Sequence, residues 1–268
     1  MSELVEPIGT ITFSEVPNEA FLALGMRNYW DGYFAGRAAP LGLAPPEVVH
    51  AVFYNFADGE VARHIPWVWG KITPQEAIAV RERGSATALR QRIGKLAGSP
   101  ILIRLADLAT RAALSAPAEG RVLYAGLRAL AVPEEPVARL WHAATLLREH
   151  RGDGHNAALV AHGVGGTEAH VLLALTLGLK AHEFGRLHHL PKQKLDAVLD
   201  GPRDRGLVDA AGDFTEAGRD TRQRIEDLTD RLAAPAYDVL RPAELDELIA
   251  GLEPIAAKIS SGGGSADG

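Results

Sequence analysis

Eight consecutive residues gather the acid–base and anion-binding side chains of this chain: Arg148-Glu149-His150-Arg151-Gly152-Asp153-Gly154-His155, shortly after Trp141-His142. Imidazoles titrate near neutrality and guanidinium groups fork onto carboxylate or phosphate, so the set suits an acidic small molecule. His150, Asp153 and His155 have the side-chain types of a catalytic set, a histidine acting as general base and Asp153 orienting it. The same three are the types found in a two-histidine-one-carboxylate metal centre. Their spacing is poor for one helix face, so they would have to converge in a loop, which Gly152 and Gly154 would provide. No Glu-x-x-His pair accompanies them, and no metal is expected. Arg148 and Arg151, with Trp141 and His142, are candidate ligand contacts. A plain helix C-cap accounts for much of the same composition, with basic side chains near the last carbonyls, Gly152 as terminator and Asp153 capping the next helix.

Other groups carry less. Tyr29, Trp30, Tyr33 and Phe34 read as a packed helix face, and Trp67 and Trp69 flank Val68 as core plus rim. His188-His189 read as a solvated linker before Pro191. Gly163-Val164-Gly165-Gly166 lacks the strand and spacing of a phosphate loop. Without a Gly-x-Ser-x-Gly elbow, covalent hydrolysis has no nucleophile. No motif names a cofactor.

The segments that position these residues are helical by apolar periodicity. Helices are expected over Pro17 to Ala35, from Pro45-Pro46 through Phe53, and from Thr73-Pro74-Gln75-Glu76, where Thr73 and Glu76 form a capping box. Further ones cover Pro100 to Ser115, Gly120 to Leu130, Glu134 to His150, Ala157 to Ala161 and Thr167 to Leu177. The halves run in faint parallel: Gly36-Arg37-Ala38-Ala39, Gly42 and Glu47-Val48-Val49 against Gly154-His155, Ala157-Ala158, Gly163 and Glu168-Ala169-His170. A duplication of this kind predicts a half at 1–130, a half at 131–259 and a disordered Gly/Ser tail at 260–268. It also sets Tyr33 and Arg37 opposite His150 and His155, with a pocket between the halves.

Toward the C-terminus the pattern changes. Pro191 to Arg205 is helix-like, Gly206-Leu207-Val208-Asp209 is a short extended exit, and Ala210-Ala211-Gly212-Asp213 is a hairpin turn. Phe214-Thr215-Glu216-Ala217-Gly218 then opens a long amphipathic helix through Leu232. This order resembles the wing region of MarR-type regulators. The chain as a whole resembles an actinobacterial helix-turn-helix family that shares the Trp-His pair, the Arg148–His155 octapeptide and Thr229-Asp230-Arg231-Leu232-Ala233. The resemblance implies a mainly α, winged-helix-like fold, in tandem, and no settled activity. Lys192, Lys194 and Arg203 would be its DNA contacts. Two features oppose operator binding. Pro202 falls in the recognition helix, where proline costs about 3 kcal/mol and breaks or kinks the element. The wing carries Asp209, Asp213 and Glu216 where phosphates would be met, and Arg186 to Arg231 holds nine basic against ten acidic residues.

With 268 residues, 47% of them apolar, the chain can bury a sizeable core, and the net charge of −6 gives no global pull toward nucleic acid or acidic lipid. The absence of cysteine excludes disulfides, thiolate metal sites and cysteine nucleophiles, and it suits a reducing cytoplasm. Neither a signal peptide nor a membrane span is expected. Together these observations point to a cytoplasmic small-molecule-binding protein of winged-helix ancestry, a ligand-responsive transcriptional regulator or a ligand-sequestering relative. The alternative is an enzyme using the His/Asp/Arg cluster for acid–base chemistry on an anionic small molecule.

Overall fold

The computed structural model describes residues 1–188 and 190–261, apart from the side chains of Arg186 and His188. His189 and the tail from 262 to 268, for which a linker and disorder were expected, lie outside the described residues. In chain order the α-helices are α1 (Ser2–Thr10), α2 (Glu15–Leu22), α3 (Tyr29–Ala38), α4 (Pro46–Phe53), α5 (Pro74–Ile93), α6 (Pro100–Ser115), α7 (Val122–Arg128), α8 (Pro136–Ala161), α9 (Gly166–Thr176), α10 (Gly185–His188), α11 (Lys192–Asp204), α12 (Glu216–Ala233) and α13 (Pro242–Ser261). Short 3-10 turns link several of them. No single described helix is long and apolar enough to cross a membrane.

Three expectations need correction. The helix expected over Pro17 to Ala35 is two, because Gly25 takes a left-handed φ of +87° and the Asn28 side chain caps α3 by accepting the Asp31 N–H at 3.1 Å. The loop expected at Gly152 and Gly154 is helix, since α8 runs unbroken from Pro136 to Ala161. Each mid-helix glycine costs about 1 kcal/mol. Every side chain from Leu140 to Leu147 is buried, and each large apolar one contributes roughly 1.5–3 kcal/mol, so packing outweighs propensity. Similarly, α11 continues through Pro202 to Asp204. Pro202 is buried in the last turn, and its carbonyl accepts the Leu207 N–H at 2.8 Å as the chain leaves the helix. Three helices were not anticipated: α1, the short α10, which includes the His188 expected in a linker, and α13, which carries Pro254 inside it and buries Leu248, Leu252, Ile255 and Ile259. Residues 260 and 261, assigned to the tail, complete α13.

The chain divides into two compact units. The first comprises Met1–Val52, Val61–Asp153 and the described part of Ala233–Ala266. In it α5 packs against α2 and α3, while α13 packs against α1, α5 and α6. The capping box of α5 is formed: Glu76 N–H donates to Thr73 Oγ1 at 3.2 Å and Thr73 N–H to Glu76 Oε2 at 2.9 Å.

The second unit comprises Phe53–Glu60 and Gly154–Leu232. Its core joins Val171 of α9, Leu187 of α10 and Leu195 and Leu199 of α11 to Leu207 and Val208 beyond them. A second cluster sets Leu159 of α8 with Val164, Leu172 and Ile225 of α12. Between α11 and α12 the chain makes a minimal hairpin, with a single antiparallel bridge, Val208 to Phe214, among the described residues. Asp209 N–H donates to the Asp213 carbonyl at 2.9 Å, and the Asp209 carboxylate takes the Asp213 N–H at 2.9 Å. The Thr-x-x-Gly that follows has a physical cause. Thr215 Oγ1 caps α12 by accepting the Gly218 N–H at 3.0 Å and donates to the Gly206 carbonyl at 2.6 Å. A Cβ on Gly218 would stand 2.0 Å from the Leu207 carbonyl oxygen, so only glycine fits there.

Candidate functional site

On α5 the buried stripe runs Ala77, Arg81, Ser85, Ala88 and Leu89, which places an arginine where the helix otherwise presents small or apolar side chains to the core. Arg81 is 4% exposed. Its Nε donates to Thr12 Oγ1 at 3.1 Å, and its guanidinium lies 5.4 Å from the ring centre of Trp141. Among the described residues no carboxylate is within ion-pair distance of it. Burial weakens its hold on the proton, Glu149 opposes this and Arg37 and Arg148 reinforce it, leaving its pKa lowered to about 10.

The neighbouring charges are already engaged. Glu149, 2% exposed in its side chain, receives Arg37 at 3.1 Å and Arg148 at 2.6 Å. Arg148 also reaches Glu6 at 2.9 Å, and Arg37 donates to Tyr33 Oη at 3.0 Å. Burial alone would raise Glu149, but Arg37 and Arg148 outweigh it and hold the carboxyl down to about 2. Burial would lower Arg37, and Glu149 with Tyr33 turns the shift upward. Arg37 and Arg148 thus share two carboxylates, Glu149 and Glu6, leaving one positive charge in excess at Arg81.

Beside Arg81 opens a narrow cleft walled by α2, α3 and the turn before α2. Thr12, Phe13, Asn18, Phe21, Tyr29, Tyr33 and Arg37 line it together with Arg81. Tyr33 stacks on Phe13 at 5.0 Å between ring centres. Gly32 and Gly36 keep the wall close, since a Cβ on either would come within 3.0 Å of the Phe21 side chain.

Of the residues singled out in the sequence, Tyr33, Arg37, Trp141 and Arg148 belong to this neighbourhood. His142 is 4% exposed, and burial together with the charge of Arg81 lowers its pKa to about 4. His150 is 1% exposed and meets Tyr124 edge-on at 5.0 Å; burial and then Arg121 lower its pKa to about 4. Asp153 caps a helix other than the next: its carboxylate accepts the Tyr124 N–H at 3.0 Å in the first turn of α7. Burial raises the Asp153 carboxyl to about 6, against the pull of that hydrogen bond. Half-buried Arg151 stands near Tyr237, whose hydroxyl burial pushes up to about 12. His155 lies in the second unit, with Nδ1 3.0 Å from Thr229 Oγ1 and 3.7 Å from Glu226. Five residues along a helix turn a side chain by about 140°, so unbroken α8 does not converge His155 with His150 and Asp153. Among the described residues no group of three or more histidine or acidic side chains is placed to hold a metal.

In the second unit α9, α10 and α11 follow one another ahead of the hairpin and α12. A protein-family model described as a helix-turn-helix family matches residues 1–265. The chain belongs to that family. No curated protein and no solved structure matches it. In this helix-turn-helix protein Lys192 and Lys194 are exposed in the first turn of α11, and Arg203, half-buried, lies 3.6 Å from Asp200. Asp196, Asp200 and Asp204 share the exposed surface of that helix.

Several residues escaped the sequence reading. Arg81 was signalled only by its place on the apolar stripe of α5. Glu149 stood in the octapeptide without a role until Arg37, 112 positions away, was seen to pair with it. Asp31, fully buried, takes Arg27 through two hydrogen bonds of 2.7 Å and His64 Nδ1 at 2.7 Å. Burial would raise Asp31, but these partners hold it down to about 2. With His64 stacked on Phe34 at 4.8 Å, the group fastens the 3-10 turn Val61–Arg63 and the residues after it to α3.

Proposed function

We propose that this helix-turn-helix protein is a ligand-responsive DNA-binding regulator whose first unit takes up a small anionic molecule at Arg81. Arg81 carries the proposal. A buried guanidinium without a carboxylate partner costs several kcal/mol, and this one lines a cleft. An anion with its head on the Arg81 guanidinium, beside the stacked rings of Phe13 and Tyr33, would offset that cost by a charge-assisted, forked hydrogen bond. Tyr33 and Arg37 would form the wall, and Glu149 would hold Arg37 in place.

Family membership supports the DNA-binding half, and the order α9, α10, α11, hairpin, α12 supports winged-helix ancestry of the MarR kind, with α11 as recognition helix. Lys192, Lys194 and Arg203 would be its phosphate contacts, opposed by three aspartates on the same helix. A ligand-sequestering relative would keep the scaffold and the anion site without the DNA contact. The enzyme alternative draws no support from His150 and Asp153, which are spent on packing and on capping α7.

The test is thermal unfolding in a low-chloride HEPES buffer with millimolar acetate, propionate, lactate, sulfate or phosphate, for the wild type and Arg81→Met. Stabilisation of the wild type by at least one anion, abolished in the variant, is expected. Equal responses of the two proteins to all five would overturn the proposal.

A further inference from the structure

Resting on that anion-binding reading, we infer that the ligand is a singly charged carboxylate bearing a hydrogen-bond donor next to its acid group, as in a 2-hydroxy acid. Charge sets the valence. Arg37 and Arg148 are matched by Glu149 and Glu6, so one positive charge, that of Arg81, awaits a counter-ion. A doubly charged anion would bring a second negative charge with no cation to meet it, close to Glu149. The Nε of Arg81 is taken by Thr12, which leaves the terminal nitrogens for the two oxygens of one carboxylate.

The donor follows from Asn18. It lines the same cleft, and its Oδ1 is buried without a hydrogen-bond partner among the described residues. A sheltered amide oxygen calls for a donor, and leaving it unmet costs about 1–3 kcal/mol. Thr12 Oγ1 and Tyr33 Oη accept from Arg81 and Arg37, and neither hydroxyl hydrogen-bonds to Asn18 Oδ1. The close wall at Gly32 and Gly36 restricts the ligand to a small head group.

The experiment is titration calorimetry of the full chain with lactate, propionate and sulfate in low-chloride HEPES buffer. Lactate and propionate differ by one hydroxyl, and sulfate carries two charges. Lactate should bind at least tenfold more tightly than either of the others, and Asn18→Leu should remove the preference for lactate over propionate. Equal binding of lactate and propionate by the wild type overturns the assignment of the donor, whether or not the Asn18 variant folds. Tighter binding of sulfate overturns the single charge, yet leaves an anion site in place. No binding of any of the three would remove the anion site itself.

Discussion

Arg81 and Glu149 show how few side chains decide the character of this molecule. Glu149→Gln removes the charge shared by Arg37 and Arg148, both deeply placed, and should cost about 3–5 kcal/mol in urea unfolding. The histidines give a pH signature. His142 and His150 titrate near 4 in the fold against an ordinary 6.5. A depressed histidine favours the neutral form, so this stability is fully present above about 6.5 and is lost as pH falls toward 4, by up to roughly 3 kcal/mol per ring. Asp153 acts oppositely: raised to about 6, its contribution is present below 3.8 and fades as pH rises through 6. A His142→Phe variant should therefore show a flatter loss of stability between neutral pH and pH 4 than the wild type in chemical unfolding (an unchanged acid limb would contradict the placement of His142). The octapeptide was rightly visible as a concentration of charge. Its partners were not, because ion pairs between α3 and α8 are made by packing and leave no local pattern, and because an arginine on an apolar stripe looks like noise in a single sequence.

Helices with strong end signals were legible. The Thr73 box marks the start of α5, and the apolar period of α6 gives Pro100 and Ser115 as its ends. Glycine and proline misled where burial outweighed them: Gly152 and Gly154 inside α8 and Pro202 inside α11. Propensity is worth about 1 kcal/mol for a glycine, and a single buried leucine exceeds it. The hairpin region was legible because its turn chemistry is local, but its extent was not: the turn pairs one residue on each side. Gly218→Ala should destabilise the second unit by about 1–3 kcal/mol through overpacking against the Leu207 carbonyl. Thr215→Val should cost roughly 1 kcal/mol by removing the cap of α12. Both are measurable by amide exchange within α11 and α12, and full retention of protection in Gly218→Ala would contradict the packing described.

The chain belongs to a helix-turn-helix family over nearly its whole length, yet its net charge is −6 and the exposed surface of α11 balances lysine and arginine with aspartate. DNA affinity resting on Lys192, Lys194 and Arg203 should be weak and shallow in salt, with a log–log slope of magnitude no more than about 3. Replacing all three by alanine should remove that dependence. A steeper slope surviving in the triple variant would place the DNA contact elsewhere. Composition revealed the helical class, and the sequence after α11 revealed the turn ahead of α12; the division of the chain and the buried charge emerge only from how distant segments pack. The most direct measurement is the urea unfolding free energy of Arg81→Met against wild type in low-chloride, anion-poor buffer. If Arg81 is held unpaired for a ligand, methionine should stabilise the protein by about 1–4 kcal/mol. Destabilisation of similar size would mean that Arg81 is satisfied within the fold and that the anion site does not exist.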